Sequence, residues 1–261
     1  MVHEAQESPI MTTMDDRQRI KVAVTGADGL IGGVMRAGLS GRFEPRWLTH
    51  AEADITDMAA LERSFRGTDA VVHLAATPDV EATWEEVLPP NVIGAYNAYE
   101  AARRAGVQRF VFASSNHAVG GYMYDDAVFT DPEQPLQIGT DVPVRPDSLY
   151  GASKVWGEAL GRLYAECHGV SVVCLRIGAV RPDDRPPDPA GRREPPAVAA
   201  RVPRMWLSHR DCVSLIEAAL TAEVGFAIVN GVSDNPGRWF SLDEGRGLIG
   251  WEPLDGFTDE R

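Results

Sequence analysis

The sequence has few cysteines and no long apolar run. Its three cysteines, Cys167, Cys174 and Cys212, form no CxxC pair, which argues against a disulfide framework and a zinc site and favours a cytoplasmic protein with reduced thiols. No stretch approaches the roughly 20 apolar residues of a membrane-spanning helix, so no membrane association is expected. The start of the chain lacks the apolar core of a signal peptide, and residues 1–18 are predicted to form a disordered leader.

Positive charge is also scarce. The chain has 25 Lys and Arg against 38 Asp and Glu, a formal net charge of −13. Because such a field repels phosphates, nucleic acid is excluded as a partner. Only Lys21 and Lys154 are lysines, all other basic residues being arginine. A lysine kept in such a chain is a candidate for a role that needs an amine.

What the chain has is enough apolar sequence for a large core. It contains 261 residues, 44% of them hydrophobic, which excludes wholesale disorder. Short β-branched runs alternate with segments of helical periodicity. We expect strands at residues 20–26, 45–49, 69–76, 109–115 and 170–178, and helices from residue 30, near 57–66, at 92–105 and at 148–169. This alternation predicts an α/β fold with a Rossmann-type, doubly wound parallel sheet.

The pattern changes after residue 180. Residues 181–203 hold seven of the 18 prolines, which predicts a loop or flap because proline lacks a backbone donor. A surface insertion and a substrate lid are both open interpretations of this segment. Helical periodicity returns at 208–220, followed by the apolar run FAIVNGVS, typical of a strand, and by a short terminal helix.

Glycines mark the turn between the first strand and the first helix. Gly26, Gly29 and Gly32 follow the spacing G-x-x-G-x-x-G, which permits a tight turn and lets a pyrophosphate approach the positive end of the helix. Alone the pattern also fits a purely structural turn. Its place after the first strand of an alternating α/β chain favours a dinucleotide site.

A tyrosine and the isolated lysine lie four residues apart. This spacing puts Tyr150 and Lys154 on one face of the predicted helix. We expect the ammonium to lower the pKa of the phenol, so that the tyrosine removes a hydroxyl proton while a hydride leaves the adjoining carbon. The alternative is an ordinary surface pair. The scarcity of lysine and the glycine turn favour the catalytic interpretation.

A third polar group follows the strand at 109–115. Ligands of open α/β sheets gather at the carboxyl ends of strands, so Ser115, Asn116 and His117 are expected to face a crevice. Ser115 is suited to hydrogen-bond a reacting oxygen. For His117, a substrate contact and a structural hydrogen bond are both open.

Together the segments TGADGLIG, AVVHLAA and YGASK resemble the extended short-chain dehydrogenases/reductases of the NAD-dependent epimerase/dehydratase family, from about residue 20 to residue 220. FVFASSNHAVG, VPVRPDSLYGASKVWGEALGRLY, LRIG and MWLSHRDCVSLIEA resemble the uronate dehydrogenases, which oxidise C1 of a cyclic uronic acid to an aldarolactone with NAD. The resemblance implies an NAD(P)-binding Rossmann domain over residues 19–180. Residues 181–261 would then form the proline-rich loop and a small substrate-binding portion.

The resemblance also implies site residues. The catalytic residues are Ser115, Tyr150 and Lys154. The cofactor-binding residues are Gly26, Gly29, Leu30, Ile31, Gly32, His50, Asp54, Ile55, Leu74, Ala75, Ala76, Asn91, Tyr150, Lys154 and Ile177. The substrate-binding residues are Ser115, Asn116, His117 and Arg201.

Some positions depart from the family pattern. His50 stands where the family has an acid that holds the adenosine ribose, with Glu52 as a candidate substitute. We therefore expect NAD but leave NADP open, because a carboxylate would repel its 2′-phosphate. Polar groups of the relatives are replaced at Leu30, at Ala179 and at Pro78 or Asp79. The altered substrate shell leaves the exact sugar open.

The leading hypothesis is an NAD(P)-dependent dehydrogenase that oxidises C1 of a sugar acid, a reaction that needs a cation for the carboxylate. Arg201 is the first candidate, and Arg192, Arg193 and Arg204 follow; a solvated charged loop is the alternative for this cluster. One rival is a nucleotide-sugar epimerase, dehydratase or reductase, whose relatives carry a longer C-terminal portion. The other is a non-catalytic dinucleotide-binding regulator, which would not need the Tyr–Lys pair. We expect a small sugar or sugar acid as ligand and a homo-oligomer.

Overall fold

A single parallel sheet organises the molecule. The computed structural model describes residues 19–258, so the leader predicted over residues 1–18 lies outside the described residues. The strands are β1 (Ile20–Thr25), β2 (Phe43–Leu48), β3 (Ala70–His73), β4 (Arg109–Ser115), β5 (Ser171–Ile177) and β6 (Phe226–Gly231). Their order in the sheet is β2-β1-β3-β4-β5-β6, and all five pairings are parallel. The predicted Rossmann-type sheet is confirmed.

Helices connect the strands and cover both faces of the sheet. They are α1 (Leu30–Gly38), α2 (Met58–Phe65), α3 (Trp84–Val87), α4 (Gly94–Ala105), α5 (Leu149–His168), α6 (Pro196–Ala199), α7 (His209–Thr221) and α8 (Asp243–Ile249). A π-helical turn (Leu88–Ile93) joins α3 to α4, so helical structure begins before the predicted residue 92. The sequence pattern missed this because prolines usually break helices. Here they occupy the first positions of the turn, where a missing N–H matters little.

Alternate residues of the strands pack into two hydrophobic cores, one on each face of the sheet. Val22 and Val24 of β1 pack into one cluster with α1 and α7, whereas Ala23 packs into the other with α2, α4 and α5. This is the period of two expected of a strand with both faces covered. None of the helices between residues 19 and 258 is long and apolar enough to cross a membrane.

The C-terminal portion belongs to the same sheet. Strand β6 pairs with β5, and α7 packs against α1, so the boundary predicted after residue 180 falls within one sheet. Residues 181–195 contain no helix or strand, as their prolines predict. The end of the chain is held by the buried Asp211, whose carboxylate accepts bonds from the Leu254 and Asp255 N–H groups at 2.8 and 3.0 Å.

Helix α5 lies unusually close to the sheet. A Cβ at Gly157 would lie 2.1 Å from the ring of Phe112, and one at Gly161 would lie 2.8 Å from the Tyr99 hydroxyl. The first distance is far shorter than a van der Waals contact with a rigid, buried ring, so any larger residue would push α5 away from β4. Glycine at these positions therefore sets the depth at which α5 sits.

A buried ion pair joins α5 to strand β5 of the sheet. Arg176 of β5 donates through Nε and Nη2 to the two carboxylate oxygens of Glu158, each at 2.9 Å. The Ser114 hydroxyl of β4 donates to the same carboxylate at 2.6 Å. Only 1% of the arginine side chain and 5% of the glutamate side chain are exposed. Because the geometry is bidentate, three elements are locked in one arrangement.

We expect Glu158→Ala to lower the free energy of unfolding by about 3–5 kcal/mol, because it leaves the Arg176 guanidinium buried without its counter-ion. Glu166→Ala on the same helix is the matched control, since the Arg162–Glu166 pair at 3.1 Å is exposed and contributes little. Urea unfolding of both variants measures the difference. Equal losses in the two variants would contradict the structural role assigned to the buried pair.

Candidate active site

A cleft of about 1740 Å³ runs along the carboxyl ends of the strands. Open α/β sheets bind ligands at this edge, where loops diverge to either side. Every residue predicted for cofactor or substrate lines this cleft except Asn91 and Arg201. The polar and glycine-rich segments recognised in the sequence are thus brought together by the parallel arrangement of β1, β3, β4 and β5.

The glycine turn is shaped for close approach. Gly26 has φ of +68°, and a Cβ there would lie 2.7 Å from the Ala75 backbone nitrogen. A Cβ at Gly32 would lie 2.7 Å from the backbone of Ala27. Helix α1 follows, with Gly29 at its N-cap and no side-chain capping bond. Its first N–H groups are therefore available to an anion at the positive end of the helix.

The residues after β2 define the far end of the cleft. His50 and Asp54 line it, but Glu52 does not. The Glu52 carboxylate accepts bonds from the Thr49 N–H and hydroxyl at 2.8 and 2.9 Å, which lower its pKa. Asp54 accepts the corresponding bonds from Thr56, both at 2.8 Å, and its pKa is lowered for the same reason. The structure thus gives no support to Glu52 as a substitute for the missing acid, since its carboxylate is bonded within its own turn.

Asn91 lies behind the cleft wall. Its Oδ1 accepts from the Thr77 N–H at 2.8 Å, while its Nδ2 donates to the Thr77 carbonyl at 3.0 Å and to the Ser153 hydroxyl at 3.1 Å. All of its amide groups are thus engaged with the protein. The structure does not bring the Asn91 side chain to the predicted cofactor contact: this residue joins the loop after β3 to α5.

Lys154 is buried and held by the strand beside it. Its Nζ donates to the Ala113 carbonyl at 2.8 Å and lies 5.5 Å from the centre of the Tyr150 ring. Burial lowers the pKa of Lys154 to about 8, because the ammonium loses its hydration. The two side chains share a helix face, as the spacing predicts, and both line the cleft.

Tyr150 differs from the sequence prediction in its acidity. Burial raises the pKa of Tyr150; the Ser115 hydroxyl opposes this, and the Asp147 carboxylate adds to it. The expected lowering by Lys154 is therefore not found in the protein alone, because loss of hydration, the largest influence, penalises the phenolate. In the protein alone the phenol stays protonated.

The residues that end β4 form a connected polar group. Ser115 Oγ accepts from the His117 N–H and donates to Asn116 Oδ1, both at 3.2 Å. The Nδ1 atom of His117 lies 2.8 Å from the Asp147 carboxylate. All four side chains line the cleft. Sequence reasoning missed Asp147, because an Asp before the N-cap Ser148 has no distinguishing motif.

Arg201 lies outside the cleft. Its Nη1 donates to the Met123 carbonyl at 2.5 Å, its Nη2 donates to Asp126 at 3.0 Å, and its guanidinium lies 3.8 Å above the Phe129 ring. Only 8% of this residue is exposed. The structure does not bring Arg201 to the predicted substrate contact: the planar guanidinium stacks on Phe129 and holds the segment after β4. Arg204, the fourth candidate, donates to the Gly237 carbonyl at 3.1 Å.

The proline-rich segment supplies other cations to the cleft. Arg181, Arg192 and Arg193 line it. Arg193 forms an ion pair at 2.5 Å with Glu81, which lies on the opposite wall in the loop after β3. The Nε atom of Arg192 lies 3.3 Å from Glu194 within the segment itself. Of the two open interpretations, this geometry favours a segment that covers the cleft.

Fold and site together define a dinucleotide-binding protein of the short-chain dehydrogenase type, with a glycine turn after β1 and a Ser–Tyr–Lys group at the sheet edge. The family model "NAD dependent epimerase/dehydratase family" matches residues 22–204. The protein belongs to this family.

The relatives are sugar dehydrogenases. An L-arabinose 1-dehydrogenase (NAD(P)(+)) of Haloferax volcanii is 41% identical over 249 residues, which are 90% of this chain and 96% of the relative. An NAD-dependent glucose-6-phosphate dehydrogenase of the same organism is 36% identical over 90% of this chain and 93% of the relative. The structure of a uronate dehydrogenase mutant from Agrobacterium tumefaciens complexed with NAD has a TM-score of 0.74 at 34% identity, covering 91% of this chain and 86% of that one. The resemblance to uronate dehydrogenases is confirmed.

Substitutions in the glycine turn between β1 and α1 test its role in binding the cofactor. Gly32→Ala should weaken NAD binding by about tenfold or more, about 1.4 kcal/mol, because its Cβ would displace the turn. Gly33→Ala is the control: a Cβ there meets nothing within 4 Å, and alanine favours a helix by about 0.5–1 kcal/mol. Titration calorimetry measures both dissociation constants. If Gly32→Ala binds NAD as tightly as Gly33→Ala does, the close approach has no role in binding.

Proposed function

We propose that this protein is an NAD-dependent dehydrogenase that oxidises C1 of a sugar acid to a lactone. The observation that carries this proposal is the meeting of Ser115, Tyr150 and Lys154 in one cleft with the glycine turn of α1. The three relatives compared above are all named as sugar dehydrogenases, and one structure is complexed with NAD. Retention of the tyrosine and lysine argues against a non-catalytic regulator.

The cofactor fits the cradle described above. The N–H groups at the start of α1 would hold its pyrophosphate, with Gly26 and Gly32 leaving room for it. Further contacts are proposed from His50, Asp54 and Ile55 at the adenosine end, and from Leu74, Ala75, Ala76 and Ile177 along the cleft. Bound NAD supplies the hydride acceptor. NADP remains a second candidate, because His50 carries no carboxylate to repel a 2′-phosphate and one relative is named NAD(P)(+).

Tyr150 would act as the general base. Its phenol is protonated in the protein alone, so nearby positive charge must offset the burial that raises its pKa. Lys154 supplies such charge below about pH 8, where its ammonium persists. Ser115 would orient the substrate hydroxyl and stabilise charge on its oxygen as the proton passes to Tyr150. Lys154, fixed by the Ala113 carbonyl, would also hold the nicotinamide ribose.

A sugar acid needs a cation for its carboxylate, and Arg192 is the best placed. Arg192, Asp147 and Tyr124 all line the cleft. Burial raises the pKa of Tyr124, the Asp147 carboxylate adds to this and Arg192 opposes it. Asp147 in turn contacts His117 next to Tyr150. A substrate carboxylate would compete with Glu194 for the guanidinium of Arg192.

The exact sugar is a separate question. Leu30 and Ala179 line the cleft where relatives provide polar groups, and Leu30 is 41% exposed. A site that loses hydroxyl partners loses discrimination, so we propose a broader or redirected range of sugars. Self-association of the chain stays a prediction.

Tyr150→Phe should lower kcat by about 100-fold or more, because general-base catalysis contributes at least this much. The dissociation constant for NAD should change little, since only a hydroxyl is lost. Tyr164→Phe is the control on the same helix: its hydroxyl donates to Glu100 at 3.0 Å, far from the cleft edge, and kcat should be unchanged. Stopped-flow measurement of NADH formation tests this. A Tyr150→Phe enzyme with more than about a tenth of the wild-type kcat would refute the role.

Arg192→Ala should raise the KM for glucuronate about tenfold or more while changing the KM for arabinose little, because only the uronate carries a carboxylate. Arg201→Ala should lower Tm but leave the ratio of the two KM values unchanged, because its guanidinium is buried against Phe129. Steady-state kinetics with both sugars provides the comparison. The assignment to Arg192 fails if the ratio changes only in Arg201→Ala.

A further inference from the structure

The carboxylate of Asp147 occupies a slot between two glycines. A Cβ at Gly120 would lie 1.9 Å from its Oδ2, and a Cβ at Gly151 would lie 3.3 Å from its Oδ1. Gly120 belongs to the 3₁₀ segment after β4 (Asn116–Tyr124), and Gly151 lies in the first turn of α5. Two elements from different parts of the chain therefore leave room for this one side chain.

Within the slot the carboxylate has two hydrogen-bond partners. Oδ2 lies 2.8 Å from His117 Nδ1, and Oδ1 accepts from the Ser148 hydroxyl at 3.1 Å. A ring nitrogen beside a carboxylate carries the proton, so Nδ1 donates and Nε2 of the neutral imidazole is left as an acceptor. The His117 ring meets the Tyr150 ring edge-on, with centroids 5.8 Å apart. The histidine is thereby fixed beside the proposed base.

His117 is the one ion-pair partner of Asp147 among the described residues. The guanidinium of Arg145, two residues earlier, is drawn away to Asp125 at 2.7 Å. Tyr124 and Tyr150 are the other titratable groups that face the carboxylate, and Asp147 raises the pKa of both.

We propose that Asp147 is a positioning residue that fixes His117 with Nε2 as an acceptor in the cleft, where it selects sugars bearing a hydroxyl next to the reacting one. The inference rests on the proposed function. Since His117 is packed against Tyr150, a group bound to its Nε2 lies close to the hydroxyl that Tyr150 deprotonates, as neighbouring hydroxyls of a sugar ring do. A site built to pair a hydroxyl discriminates against analogues that lack it, because the acceptor then loses its partner.

The test compares glucuronate with its 2-deoxy analogue. The wild type should favour glucuronate by about tenfold or more in kcat/KM. Asp147→Ala should lower kcat/KM for glucuronate until the ratio approaches one, with little change for the deoxy sugar. Asp147→Asn should keep most of the ratio, because its amide oxygen still accepts from Nδ1. Asp125→Ala, a carboxylate of the same loop, should leave the ratio unchanged.

Each outcome has a distinct meaning. Equal losses for both sugars in Asp147→Ala, or a ratio that survives in it, would overturn the inference and indicate a merely structural side chain. Absence of NADH formation with any sugar in the wild type would instead refute the proposed function. A readout independent of the variants is the histidine tautomer by ¹⁵N NMR of the wild type. Protonation of His117 at Nδ1 is expected, and a proton at Nε2 would overturn the inference even if Asp147→Ala failed to fold.

Discussion

The depth at which α5 packs onto the sheet is the constraint on which the site depends. Gly157 leaves no space between the helix and the Phe112 ring, and the Glu158–Arg176 pair locks the helix to β5. Tyr150 and Lys154 lie on one face of α5 because they are four residues apart. The close packing of this helix buries both side chains. The altered acidities of both groups follow from the same desolvation, which raises the pKa of the phenol and lowers that of the amine to about 8.

The proposed substrate, a sugar acid, is negatively charged like the protein and therefore needs local positive charge. The net charge of −13 would repel a sugar acid at a distance, but screening limits this repulsion to about 10 Å at 0.1 M salt. Inside the cleft, Lys154 and the arginines of the proline-rich segment supply positive charge. The ion pair between Arg193 and Glu81 joins this segment to the opposite wall. Both side chains of this pair are exposed, so the contact is salt-sensitive.

Much of the fold and part of the site could be predicted from local patterns. The strands, the glycine turn and the Tyr150–Lys154 face follow from periodicity and spacing, which neighbouring residues determine. The predictions that the structure does not support concern residues whose partners are distant in the sequence. Arg201 stacks on Phe129, and the pKa of Tyr150 reflects burial that no spacing reveals. The contact of Asp147 with His117 joins residues 30 positions apart, and no local signal indicates it.

The central claim is that hydride leaves C1 of the sugar for the cofactor. Its most direct test is incubation of the wild-type protein with NAD and glucuronate deuterated at C1, followed by mass spectrometry of the cofactor and the sugar. For hydride transfer from C1, we expect deuterium in the reduced nicotinamide and an equal amount of lactone that contains none. Deuterium retained on C1 of a sugar inverted at another carbon, with no net reduced cofactor, would contradict it and indicate an epimerase.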